Sequence, residues 1–153
     1  MHRYEARISW KRNGAKFTDA RYSRGHEWSF DGGVRLPASS SPSSVPVPYS
    51  VVEAVDPEEA LVASASSCHM LTFLFVAAKR GFVVESYVDE AFGVMEKNAE
   101  GKLAITRITL RPAIEFSSSR PPTAEELEAL HHAAHEECYI ASSLKTEVVI
   151  ETA

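Results

Sequence analysis

The chain is predicted to be an α+β protein with mostly antiparallel strands, and three observations carry that prediction. A capped helical segment of about 24 residues follows Asp56. Two alternating stretches, 83–96 and 103–116, flank a turn at Asn98-Ala99-Glu100-Gly101. A second capped helix then leads into one last apolar stretch. The order is strands, long helix, strand hairpin, helix, strand, with no internal repeat. A length of 153 residues fits a single domain over 1–153.

The opening Tyr4-Glu5-Ala6-Arg7-Ile8-Ser9-Trp10 alternates in part and runs into Asn13-Gly14, which predicts a strand and a turn. A second strand is predicted in Arg24–Phe30, ending at Asp31-Gly32-Gly33 and pairing with the first or third. From Pro37 to Ser50 prolines and serines dominate, a composition that neither carries a helix nor fits a central strand, so a long loop is expected. Asp56-Pro57-Glu58-Glu59 is a helix start: Asp56 as N-cap, Pro57 at the first helical position, Glu59 closing a capping box. Small and apolar residues surround the helix from Ala60 to Ala78, which predicts a central, buried element stopped by Gly81. In the hairpin, Ile108, Leu110, Ile114 and Phe116 alternate and give a half-buried sheet face. Thr123 with Glu126 predicts another capping box, a helix reaching at least His135, and Cys138 near its end or at the start of a further turn. Thr146–Glu151 is the final strand.

A net charge of −5 gives no attraction to phosphate backbones or anionic lipid, which argues against nucleic acid and membrane partners. The longest apolar run, 70–78, is about half of what a membrane span needs. The opening residues do not read as a secretory signal, so a cytoplasmic, reducing setting is expected. In such a setting two cysteines are free thiols, metal ligands or a redox couple more often than a staple. A thiol attacks only as thiolate, and Cys68 falls too far from the helix start for the dipole to ionise it. A cation from elsewhere is expected, with Arg21, Arg24 and Arg35 as candidates.

The run Asp56-Pro57-Glu58-Glu59, with Cys68 eleven places after the proline and Cys138 near a second helix and closing strand, resembles the OsmC/Ohr family of organic hydroperoxide reductases. The resemblance covers nearly the whole chain. It implies a peroxidatic Cys68, a resolving Cys138, and an arginine–glutamate pair that holds the thiolate, with Glu58 matching the glutamate. Arg24 matches the family arginine near the first strand turn, and Arg35 is the nearer choice if the arginine lies in the loop before the helix. It further implies an organic hydroperoxide substrate, a Cys68–Cys138 disulfide as intermediate, a dithiol reductant of the lipoylated-protein type, and no metal or flavin cofactor. The chain departs from the family pattern at Tyr139-Ile140, where many relatives carry a proline, at His69, and in the length of the 37–50 loop.

Glu58 and Cys68 lie about 15 Å apart along one unbroken helix and roughly 80° from sharing a face. If both serve one site, either the helix breaks or a second copy supplies the glutamate, and the latter predicts an intertwined homodimer. A rival reading uses His131, His135 and Cys138, at helical positions i, i+4 and i+7, as ligands of a non-catalytic metal- or ligand-binding domain.

Overall fold

The structure, a computed structural model, describes residues 1–117 and 119–152. Backbone packing divides the chain into two compact units, Met1–Ala60 and Leu61–Ala153, with the boundary inside the long helix.

In the first unit, β1 (Ala6–Ser9), β2 (His26–Phe30) and β3 (Arg35–Ala38) form an antiparallel sheet in that order, so β2 pairs with both neighbours. The turn at Asn13-Gly14 is present, both residues having positive φ. Pro37 belongs to β3 rather than to a loop. It is tolerated because β3 is an edge strand, and its carbonyl, which points away from β2, accepts from Val55 N–H at 3.1 Å. The proline- and serine-rich stretch after it is not loose. It folds back so that Ser39 N–H meets Val55 O at 2.9 Å and the buried Ser39 hydroxyl accepts from Val51 N–H at 2.9 Å. Backbone donors that a loop would leave to water are thus paired inside the unit.

The helix α1 (Pro57–Lys79) starts and stops where local chemistry directs. Asp56 Oδ1 accepts from Glu59 N–H at 2.8 Å, and Glu59 reaches back to Asp56 N–H. At the other end Gly81 adopts φ +83, so Gly81 N–H bonds to Ala78 O and Phe82 N–H to Ala77 O, a Schellman stop.

In the second unit the predicted hairpin is split by a break at residues 90–91 and Arg111. Its outer ends form β4 (Val84–Asp89) paired with β7 (Pro112–Phe116), and its inner ends form β5 (Phe92–Lys97) paired with β6 (Leu103–Leu110), all antiparallel. The helix α2 (Ala124–Glu137) carries the predicted Thr123/Glu126 capping box, and a short turn, α3 (Tyr139–Ser143), follows. Strand β8 (Glu147–Ile150) then pairs with β6 in parallel. Two apolar clusters hold this unit. Phe73, Val76 and Ala77 of α1 pack with Phe82, Leu130 and Ala134, while Ala65 packs with Ile108, Leu110 and Val148. Burying a side chain such as Phe73 is worth about 2–3 kcal/mol.

Within the single chain α1 is buried along one stripe only, Ala65, His69, Phe73, Val76 and Ala77. The opposite side leaves Leu71 61% and Phe75 59% exposed. Among the described residues α1 is the one helix long and apolar enough to cross a membrane, and it is the helix on which both apolar clusters are built.

Candidate active site

Cys68 sits midway along α1, half-buried, and Cys138 is almost fully buried at the joint between α2 and α3. Cys138 leaves helical geometry there, with φ −72 and ψ 113. It therefore ends one helix and caps the next, its Sγ accepting from Ala141 N–H at 3.4 Å. Both cysteines are free thiols, and they face each other.

Their environments push them in opposite directions. Burial alone would push the Cys68 thiol up, but the backbone N–H of Ile140, the Cys138 thiol, the N–H of Tyr139 and the Thr72 hydroxyl together outweigh it and bring Cys68 below the ordinary thiol value. Cys138 is pushed up, first by burial. The Ala141 N–H works against this, but the hydrogen bond to Cys68 and the charge Cys68 takes on ionising add to the rise. The pair therefore divides its roles. Cys68 is the more readily ionised of the two, and Cys138 the less.

Within the second unit the groups that lower Cys68 are neutral, mainly amides at the first positions after Cys138, which have no partner within α3 because a helical turn begins there. Thr72, one turn beyond Cys68, donates its hydroxyl to the Cys68 carbonyl at 2.9 Å. The sequence reading missed Tyr139, Ile140 and Thr72. The signal available for them was the possible new turn at Cys138, which implies free amides just after it.

The candidate arginines lie in the first unit. Arg24 Nη1 donates to Ala20 O at 2.8 Å and to Tyr22 O, and its guanidinium lies 3.7 Å from the centre of the Tyr22 ring. Arg21 Nε donates to the Tyr49 hydroxyl at 2.9 Å, and Arg35 pairs with Glu27 at 3.3 Å on an exposed surface. Glu58 sits in the first turn of α1, which runs unbroken through Cys68. Its Oε2 is buried without a hydrogen-bond partner, an arrangement that calls for a donor.

The histidines do not assemble as the rival reading requires. His131 turns inward, its Nδ1 3.0 Å from His69 Nε2, whereas Cys138 turns to Cys68. Among the described residues no three His, Cys, Asp or Glu side chains converge as a metal site, so the ligand set His131, His135 and Cys138 is not formed. Helical periodicity put these residues on one face, but the break at Cys138 takes the thiol out of that register.

The family model for OsmC-like protein matches residues 51–153. An OsmC-like protein of unknown function from Vibrio cholerae has 52% sequence identity, with all of both chains covered and a TM-score of 0.97. An organic hydroperoxide resistance protein from Legionella pneumophila has 17% identity over 99% of this chain and 96% of that one, with a TM-score of 0.69. The organic hydroperoxide resistance protein OhrB of Bacillus subtilis has 16% identity over 98% of each chain, with a TM-score of 0.66. At such identities the last two show a shared fold. No curated protein matches the chain. From the model match and the full-length Vibrio relative, the chain belongs to the OsmC-like protein family.

Proposed function

We propose that this protein is a thiol peroxidase that reduces organic hydroperoxides to alcohols, with Cys68 as the attacking thiolate and Cys138 as the resolving thiol. The observation that carries this reading is the asymmetry between the facing sulfurs: amide donors bring one below the ordinary thiol value, while burial pushes the other above it. A structural cysteine pair gains nothing from that asymmetry. A peroxidase needs it, because the attacking group must be ionised and the resolving group must wait. The fold shared with two organic hydroperoxide resistance proteins is compatible with the reading.

The Cys68 thiolate attacks the terminal peroxide oxygen, the O–O bond breaks, and the alkoxide leaves with a proton as the alcohol. Cys68 becomes a sulfenic acid. The Cys138 sulfur then attacks the Cys68 sulfur, water leaves, and a disulfide forms before further oxidation can occur. A dithiol reductant, in our reading a lipoylated protein in the cytoplasm, returns two electrons and two protons. Glu58 is assigned to hold an arginine, Arg24 or Arg35, over the peroxide. The buried, unpartnered Glu58 Oε2 is compatible with a cation beside it, and an unbroken α1 supports delivery of Glu58 to the thiol from a second copy of the chain. The apolar Leu71 and Phe75, exposed on α1, support the same homodimer.

Thiol titration tests the chemistry. One equivalent of cumene hydroperoxide is expected to remove two thiols per chain, and dihydrolipoamide to restore them. Cys68→Ser should consume no hydroperoxide, and Cys138→Ser should stop after its first turnovers. Equal consumption by all three proteins would remove the mechanism.

A further inference from the structure

We infer that the buried hydrogen bond between His69 and His131 is a positioning device that holds Cys68 and Cys138 in the register a disulfide needs. Its purpose rests on the thiol chemistry proposed above; its test does not.

His69 directly follows Cys68 on α1, so the two backbones move together. His131 lies two turns before Cys138 on α2, about 10 Å along the axis. The imidazoles meet with their planes 10° apart and His69 Nε2 3.0 Å from His131 Nδ1. His69 is 1% and His131 4% exposed. Apart from the thiol pair it is, among the described residues, the one hydrogen bond that joins α1 to α2. The remaining contact is apolar, Phe73, Val76 and Ala77 against Leu130 and Ala134. Such contact holds helices together but gives way to small rotations and slides, because burial carries no direction. A disulfide tolerates little of either, since its Cα atoms must come within about 4.4–6.8 Å and its torsion is narrow.

The chemistry of the pair fits a pin. Burial lowers both imidazoles to about 4, so both are neutral at physiological pH and one can donate to the other. His69 Nδ1 is buried without a partner. We therefore assign the shared proton to His69 Nε2, donating to His131 Nδ1, because the other tautomer would strand a buried N–H. A pair of apolar residues could fill the same space at no loss of stability, so the polar pair contributes direction.

The test is the thiol–disulfide equilibrium of the Cys68–Cys138 pair in a glutathione redox buffer, without hydroperoxide. Three proteins are compared: wild type, His69→Leu/His131→Leu, and His69→Gln/His131→Asn. The amide of Gln reaches the position of Nε2 and that of Asn the position of Nδ1, so the last variant rebuilds the bond. The apolar variant is expected to lose at least tenfold in its disulfide equilibrium constant, about 30 mV for a two-electron couple, and the amide variant to recover to within about threefold of wild type. Thermal melts run in parallel should rank the other way, because Leu/Leu buries no polar atom and Gln/Asn buries several. A purely structural role would make the potential follow the melts. The inference is overturned if Leu/Leu keeps the wild-type potential or if Gln/Asn is displaced as far as Leu/Leu. Should Leu/Leu fail to fold, His69→Gln/His131→Leu takes its place with the same expected loss. Loss of the peroxidase reading would show separately, as wild type that consumes no hydroperoxide while these potentials stand.

Discussion

The groups that bring the Cys68 thiol below its ordinary value are themselves uncharged, and one of them is another cysteine. Replacing Cys138 by alanine removes the thiol donor but leaves the Ile140 and Tyr139 amides in the chain. The Cys68 thiol is therefore expected to titrate higher in Cys138→Ala than in wild type. Its alkylation by iodoacetamide at neutral pH should slow several-fold, as read from the pH dependence of the rate. The buried histidines give a second residue-scale prediction. Burial, with His131 and His135 adding to it, brings His69 from its ordinary 6.5 to about 4, while His131 is lowered by burial and partly supported by Asp89. The unfolded chain therefore binds protons between those values that the folded chain refuses. Stability is retained above about pH 6.5 and falls as the pH drops towards 4, by about 3 kcal/mol for His69. Urea midpoints measured from pH 7 to 4 should decline over that window, and should do so less in His69→Leu/His131→Leu. Little of this could be read from the chain. Both cysteines are visible in the sequence, but the donors of Cys68 are backbone groups brought from seventy positions away, and the His69 contact with His131 is just as distant.

The elements were far more legible, because their ends are set by neighbours in sequence. Asp56 with Glu59, Thr123 with Glu126 and Gly81 each fix a helix end through bonds spanning a few residues, and all three are where pattern put them. Pro37 was harder, since nothing local says that its strand is an edge. The one-sided burial of α1 was hidden for a related reason. An all-apolar helix looks the same whether its far side is covered by its own chain or by another. Strand β5 shows how closely an element can be held. A Cβ built at Gly93 would lie 2.9 Å from Val62 Cγ2 of α1 and 3.2 Å from Ile105 Cγ2 of β6. Gly93→Ala must therefore push side chains aside and is expected to cost about 1–3 kcal/mol, measurable by chemical denaturation. Val62→Ala in the same protein should recover part of that loss by opening the space.

For the whole molecule the exposed apolar stripe on α1 decides what to expect in solution. Leu71 and Phe75 stand on the side of the helix facing away from the two apolar clusters, a side that a free monomer would present to water. Light scattering at micromolar concentration should give twice the chain mass. Leu71→Glu/Phe75→Glu should give a single chain with reduced hydroperoxide turnover, because in our reading Glu58 reaches the thiol only from the second copy. A monomeric double variant with full activity would count against that arrangement.

The parallel pairing of β8 with β6 has a consequence for partly open states of the chain. When Glu147–Ile150 detaches, one edge of β6 loses its partner and presents unpaired backbone groups to any neighbouring strand, so fraying of this last strand is the opening that most favours association between chains.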